Sequence, residues 1–194
     1  MKKSSYGSIP KRIFLDSNIL QYLQDFGEFI FDHYQETDEY LVSAKGNKIL
    51  KDSKLYNEIR VLKVLLLGLD RTNIEFAISQ NTFAEVQRKQ DDSYMRWFFE
   101  MWDYWQNIIQ AHKENVSSGP AKLKKFDNDR SLLGRLSKDD SKIIRDAISL
   151  NCNAVLTVDR FRNLHKEIND KYKMMVLYPT DLWGLLKPFQ ALWH

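Results

Sequence analysis

At 194 residues, 43% of them hydrophobic and 28% charged, the chain reads as one globular domain spanning 1–194, long enough to bury a full core without disulfides or a structural metal. Its single cysteine, Cys152, excludes a disulfide framework and suits a reducing compartment, so a cytoplasmic protein is expected. A net charge of +3 permits a polyanionic partner without requiring one. The N-terminal segment MKKSSYGSIPKRIFL is basic but carries no apolar core of signal-peptide length. Residues 12–15 predict a short buried strand ending on Asp16, and Ser17-Asn18 supply turn and cap chemistry for a helix over about 19–33. Polar residues and Gly46-Asn47 make 34–50 a loop, and Leu55, Ile59, Leu62, Leu66 and Leu69 at helical spacing make a second helix. The stretch 34–72 is thus a loop-and-helix insertion between the first two strands. The apolar run at 61–69 is too short to span a bilayer and contains Lys63, so no membrane segment is expected.

Residues 74–79 predict the second strand, and Thr82 opens a helix that carries Glu85. The charged run 88–92 separates it from an aromatic helix over about 94–115. Residues 116–138, with Ser-Ser-Gly-Pro and a knot of Lys122, Lys124 and Lys125, read as an exposed connection. A helix over 139–150, a β-branched strand over 154–158, a helix over 161–171, a strand over 174–177 and, after Pro179, a helix over 181–189 complete the chain. Strands alternating with helices imply a central parallel sheet in a three-layer α/β/α fold.

In such folds ligands bind beyond the carboxyl ends of the strands. Asp16 and Asp159 directly follow strands, Glu85 lies about one turn into the helix after the second strand, and Asp139 and Asp140 open the helix before strand 154–158. Carboxylates gathered at one spot repel by several kcal/mol at an effective dielectric of about 20, so such a set is tolerated where a divalent cation neutralises it. Oxygen donors without a His or Cys cluster suit Mg²⁺ or Mn²⁺ and disfavour zinc; His33, His112, His165 and His194 are scattered. One or two such ions serve phosphodiester hydrolysis, with Asn18 and Thr157 placed to orient the carboxylates. Each residue also has an ordinary role open to it. Asp16 suits an Asx turn or helix cap, Glu85 a solvated surface, Ser137 to Asp140 a capping box, Asp159 a cap for the helix from Phe161, and Asn18 and Thr157 turn chemistry.

Lys122, Lys124, Lys125, Arg88, Lys89, Arg160 and Arg162 are candidates for phosphate contacts and Phe126 or Phe161 for base stacking, with a solvated charged face as the alternative. The aromatic helix, with Trp97, Phe98, Met101, Trp102 and Trp105, offers more apolar surface than one face hides. Core packing is the first explanation and a homodimer or protein-partner surface the second.

The ordered segments FLDSNIL, ISQNTFAEV, DDSKIIRDAI and AVLTVD, closed by MMVLYPTDLWGLL, resemble the PIN-domain ribonucleases over nearly the whole chain. The resemblance implies a PIN-like fold and an Mg²⁺- or Mn²⁺-dependent endoribonuclease that cleaves single-stranded RNA. The metal ligands would be Asp16, Glu85, Asp140 or Asp139, and Asp159. Ile143 and Ala147 follow Asp140 at the family's spacing, which favours Asp140 and leaves Asp139 as a second ligand. The long stretch between Asp16 and Glu85 makes this chain longer than the compact toxin-type members. Two other readings stand beside it. One is a catalytically degenerate PIN-like domain that binds protein or RNA; the other, a magnesium phosphatase, lacks the second acid of a DxD pair because the motif here is Asp16-Ser17-Asn18.

Overall fold

The chain runs β1 (Arg12–Leu15), α1 (Ser17–Asp25), α2 (Gly27–Phe31), β2 (Tyr40–Val42), β3 (Lys48–Leu50), α3 (Lys54–Gly68), β4 (Glu75–Ala77) and α4 (Gln80–Arg88). It continues with α5 (Asp92–His112), α6 (Gly119–Asp127), α7 (Arg130–Leu133), α8 (Lys138–Ser149), β5 (Ala154–Leu156), a 3₁₀ turn (Arg160–Leu164), α9 (His165–Tyr172), β6 (Met175–Leu177) and α10 (Pro179–Leu186). This computed structural model describes residues 7, 9–31, 40–51, 53–68, 72, 74–88, 91–112 and 119–189, with the backbone alone at 83, 86, 102, 104–112, 119, 120, 160 and 162.

Four short strands form one wholly parallel sheet in the order β4-β1-β5-β6. Side chains alternate across a strand, and here the alternation sorts them into two cores. Ile13, Leu15, Ala154 and Leu156 pack with residues of α1, α2, α3, α5 and α10. Phe14, Ala77, Val155 and Val176 pack with residues of α6, α8 and α9 on the other face. The result is an α/β architecture with helices on both faces, which is why the strands are apolar throughout and not alternating. The chain leaves β1 toward β4 on one side, whereas it leaves β5 toward β6 on the other. The carboxyl ends of β1 and β5 therefore flank the point where the topology switches direction, the usual place for a ligand crevice in an open α/β sheet.

Three segments differ from the sequence expectation. The helix over 19–33 breaks at Phe26, which has left helical geometry at φ −118°, ψ 24°, and Gly27 starts α2; residues 32 and 33 lie outside the described residues. Within 34–50, of which 34–39 lie outside the described residues, β2 and β3 pair as an antiparallel hairpin whose turn uses Gly46 at φ 79°. Three-residue strands burying only Leu41 leave too little alternation to read. Lys45 in that turn pairs with Asp91 and, at 3.8 Å, with Asp25, tying the hairpin to the end of α1 and the start of α5.

The stretch 116–138, of which 116–118 lie outside the described residues, is helical where it is described: α6 and α7 bury Phe126 and Leu132. Gly119-Pro120 opens a helix there, because a proline in the first turn loses no hydrogen bond. Among the described residues no helix is long and apolar enough to cross a membrane.

Candidate functional site

Asp16 stands one residue past β1. Its N–H donates to the Leu156 carbonyl at 3.1 Å, fixing it between the two central strands, and its own carbonyl accepts from Ile19 and Leu20 to start α1. It holds the N-cap position, yet its carboxylate makes no capping hydrogen bond. Oδ2 instead accepts the Thr157 hydroxyl at 2.6 Å and Oδ1 the Ser17 hydroxyl at 3.3 Å. The residue is 1% exposed. Burial drives its pKa upward against the Thr157 hydrogen bond, and the charges of Glu85 and Asp159 push it further, to about 6.

Glu85 reaches the same spot from α4. The hydroxyl of Ser79 accepts the Thr82 N–H at 3.4 Å at the start of that helix, and one turn later Glu85 Oε1 accepts the Ser17 hydroxyl at 2.9 Å. Ser17 has one proton for two carboxylates, so Asp16 and Glu85 face each other across a single hydroxyl. Asp159 follows β5; its N–H donates to Thr157 Oγ1 at 3.0 Å and its Oδ2 accepts the Asn18 amide at 3.3 Å. Thr157 and Asn18 thereby connect the β1 and β5 acids. The negative potential reaches two tyrosines. Tyr94 donates to the Ser17 carbonyl at 3.4 Å, and its phenol is pushed up by burial and then by Glu85, Asp25 and Asp16. Tyr22 is raised by burial and then by Asp159.

All these donors are oxygens: carboxylates and hydroxyls held at one sheet edge. Among the described residues no three His, Cys, Asp or Glu side chains lie close enough together to hold a metal ion between them. Oxygen donors of this kind are those that Mg²⁺ and Mn²⁺ take, with several waters retained beside a few protein ligands.

The start of α8 is built differently. Ser137 caps it by accepting the Asp140 N–H at 3.0 Å. Asp139 accepts the Lys142 ammonium at 2.9 Å, and its carboxyl is held below the usual range by that hydrogen bond and charge, then by Arg88. With Ser17, Glu85, Arg88, Lys142 and Asp146, it lines a cleft of about 130 Å³; Asp140 is not part of that lining. The cleft is smaller than the roughly 300 Å³ at which ligand-enclosing sites begin. Asp146 and Ser17 are the two residues that sequence reasoning missed. Asp146 is buried and accepts the Ser79 hydroxyl at 2.5 Å and the Asn81 amide at 3.0 and 2.9 Å, locking the start of α4 to α8. An acid beside Ile144, Ala147 and Ile148 on the apolar stripe of its helix was the available signal.

The lysine knot lies elsewhere. Lys125 donates to the Lys171 carbonyl at 2.9 Å and sits 5.4 Å from the centre of the Tyr172 ring. Both partners are at the end of α9, which returns the chain to the start of β6, so Lys125 lies toward the amino edge of the sheet. Lys122 and Lys124 are exposed on the same helix. Phe126 is 1% exposed, packed edge-on to Tyr172, and Phe161 is 7% exposed. Both belong to the core, which corrects their assignment as stacking platforms: the packing that holds α6, α8 and α9 to the sheet needs them. Lys89 and the side chains of Arg160 and Arg162, Trp102 and Trp105 lie outside the described residues. Comparison of the chain with protein-family models, with curated proteins and with solved structures returned no match.

Proposed function

We propose that this chain is a PIN-like, metal-dependent nuclease, an endoribonuclease acting on single-stranded RNA, with Mg²⁺ or Mn²⁺ held by Asp16, Glu85 and Asp159 and an α8 acid, Asp139 or Asp140, completing the set. The observation that carries the reading is the state of Asp16: a buried carboxylate at the β1/β5 switch point, bonded only to hydroxyls in its described contacts and crowded by two further acids. Such repulsion costs stability and is retained where a cation offsets it. A divalent ion bound there supplies Lewis-acid stabilisation of a phosphodiester and a water of lowered pKa. The chain's own contribution is orientation. Thr157 fixes one oxygen of Asp16, Ser17 sets the spacing between Asp16 and Glu85, and Asn18 aims Asp159. The order of the acids along the chain supports the PIN-like assignment, and the buried lone Cys152 fits a cytoplasmic location.

The test is incubation of purified protein with end-labelled single-stranded RNA in Mg²⁺, Mn²⁺ or EDTA. Internal cuts that need the cation and vanish in Asp16→Asn are expected. RNA that is bound but intact in every condition would assign the chain to the binding-only reading.

A further inference from the structure

A polyanion approaching these acids needs positive charge beside them, and the α6 knot is turned toward the other edge of the sheet. Two cations do stand at the acids. Arg88, at the end of α4, and Lys142, one turn into α8, line the same cleft as Ser17 and Glu85. The Lys142 ion pair with Asp139 is exposed, with side chains 42% and 62% accessible, and such pairs are weak enough to exchange for a phosphate. A third cation marks the opposite end of the edge. Tyr178 directly follows β6 and donates its hydroxyl to the Asp159 carbonyl at 3.3 Å, and the ammonium of Lys54 lies 4.3 Å from the centre of the Tyr178 ring. The acids that follow β1 and β5 thus lie between Arg88 and Lys142, which share a cleft with Glu85 of the helix after β4, and Lys54, which lies against the residue after β6.

Building on the nuclease reading, we infer that single-stranded nucleic acid crosses the carboxyl edge of the sheet transverse to the strands, with Arg88 and Lys142 holding its phosphates on one side of the acids and Lys54 on the other. The acids between these cations repel the phosphate that lies over them. Affinity for the polymer therefore rises when a divalent cation binds, and the coupling is reciprocal.

The experiment is fluorescence anisotropy of a short labelled oligouridylate, titrated across salt concentrations in Ca²⁺ and in EDTA, with a gel to verify that the RNA is intact. Each phosphate contact contributes about 0.7 to the log–log salt slope for a single strand. The slope in Ca²⁺ should flatten by about 1.4 in Arg88→Gln/Lys142→Gln and by about 0.7 in Lys54→Gln, and should return to the parent value in Arg88→Lys/Lys142→Arg. Lys122→Gln/Lys124→Gln/Lys125→Gln should leave it unchanged. A steep parent slope that only the α6 triple variant flattens, or that none of them flattens, overturns this path and leaves the nuclease reading standing. Parent protein that neither binds nor cleaves in any cation overturns both.

Discussion

Asp16 and Asp139 are both acids at element boundaries, and they are held in opposite ways. Asp16 is buried, bonded to two hydroxyls, and raised first by that burial and then by Glu85 and Asp159. Asp139 is exposed, bonded to Lys142, and lowered. A cation already answers the α8 charge, whereas among the described residues only hydroxyls answer the β1 charge, and under the proposed function the second is where an added cation would go. Burial alone does not make this distinction. Glu58 is 4% exposed, yet it accepts the Thr180 N–H at 3.0 Å and hydroxyl at 2.9 Å at the start of α10, and Asp146 is satisfied in the same manner by Ser79 and Asn81. These buried acids tie helix starts to their neighbours. Asp16 differs from them because its neighbours include further acids.

The sharpest break of the comparison is Asp16→Asn. Replacing residues that only orient a metal's ligands costs about 10–100-fold, so loss of a ligand itself should lower cleavage by more than about a hundredfold while the circular dichroism spectrum stays unchanged. Full activity in that variant would make Asp16 a structural acid like Glu58.

Stability should move the opposite way. Asp16 titrates near 3.8 in the unfolded chain and near about 6 in the fold, so the folded state holds the proton more tightly. Its contribution favours folding fully below the unfolded value and is lost as pH rises through the folded one. At about 1.4 kcal/mol per pH unit, the loss between about pH 4 and pH 6 is on the order of 3 kcal/mol. Urea midpoints across that window should fall for the parent protein relative to Asp16→Asn, leaving the variant the more stable at pH 7. Mg²⁺ at pH 7 should raise the parent midpoint alone. Parallel pH profiles for the two proteins would remove the electrostatic argument for an ion here.

Thr157→Val tests the hydroxyl support at nearly constant volume. It removes the 2.6 Å donor to Asp16 and the acceptor of the Asp159 N–H, a loss of about 1–3 kcal/mol for buried partners left unsatisfied. Because that hydrogen bond lowers the Asp16 pKa, its removal should also shift the pH-sensitive window upward, and Thr157→Ser should restore both. A destabilisation with no shift of the window would mean that Thr157 packs but does not bond.

The sheet and the placing of Asp16 and Asp159 just past their strands were legible because the strand pattern stops at each of these acids, as in RIFL-D and AVLTV-D. Asp146 stands out only as an acid on an apolar helical stripe, and the partners that explain it, Ser79 and Asn81, lie on another element where no local pattern supplies them. Ser17 was read as turn chemistry because one hydroxyl bridging two distant carboxylates requires the pairing of β1 with β4, which no local pattern contains. The direction of the α6 lysines was hidden for a related reason. Helical spacing gives a face, while the burial of Phe126 against Tyr172 decides which way that face turns.

The smallest expected effects separate the two α8 acids. Asp139→Asn breaks only an exposed pair and should change stability by less than about 0.5 kcal/mol, and Asp140→Asn should do no more, since its capping contact is made by its backbone N–H. On cleavage they should differ. Asp139 lines the cleft with Glu85 and Asp140 does not, so Asp139→Asn should lower kcat/KM by about tenfold or more, as an outlying member of the set, and Asp140→Asn by less. The contrast with β1 becomes sharper if both losses stay far below that of Asp16→Asn. It breaks if Asp140→Asn is as damaging as Asp16→Asn, because the centre of the chemistry would then sit at the start of α8, with Asp140 turned inward when the ion binds and the Asp139–Lys142 pair as its outer flank.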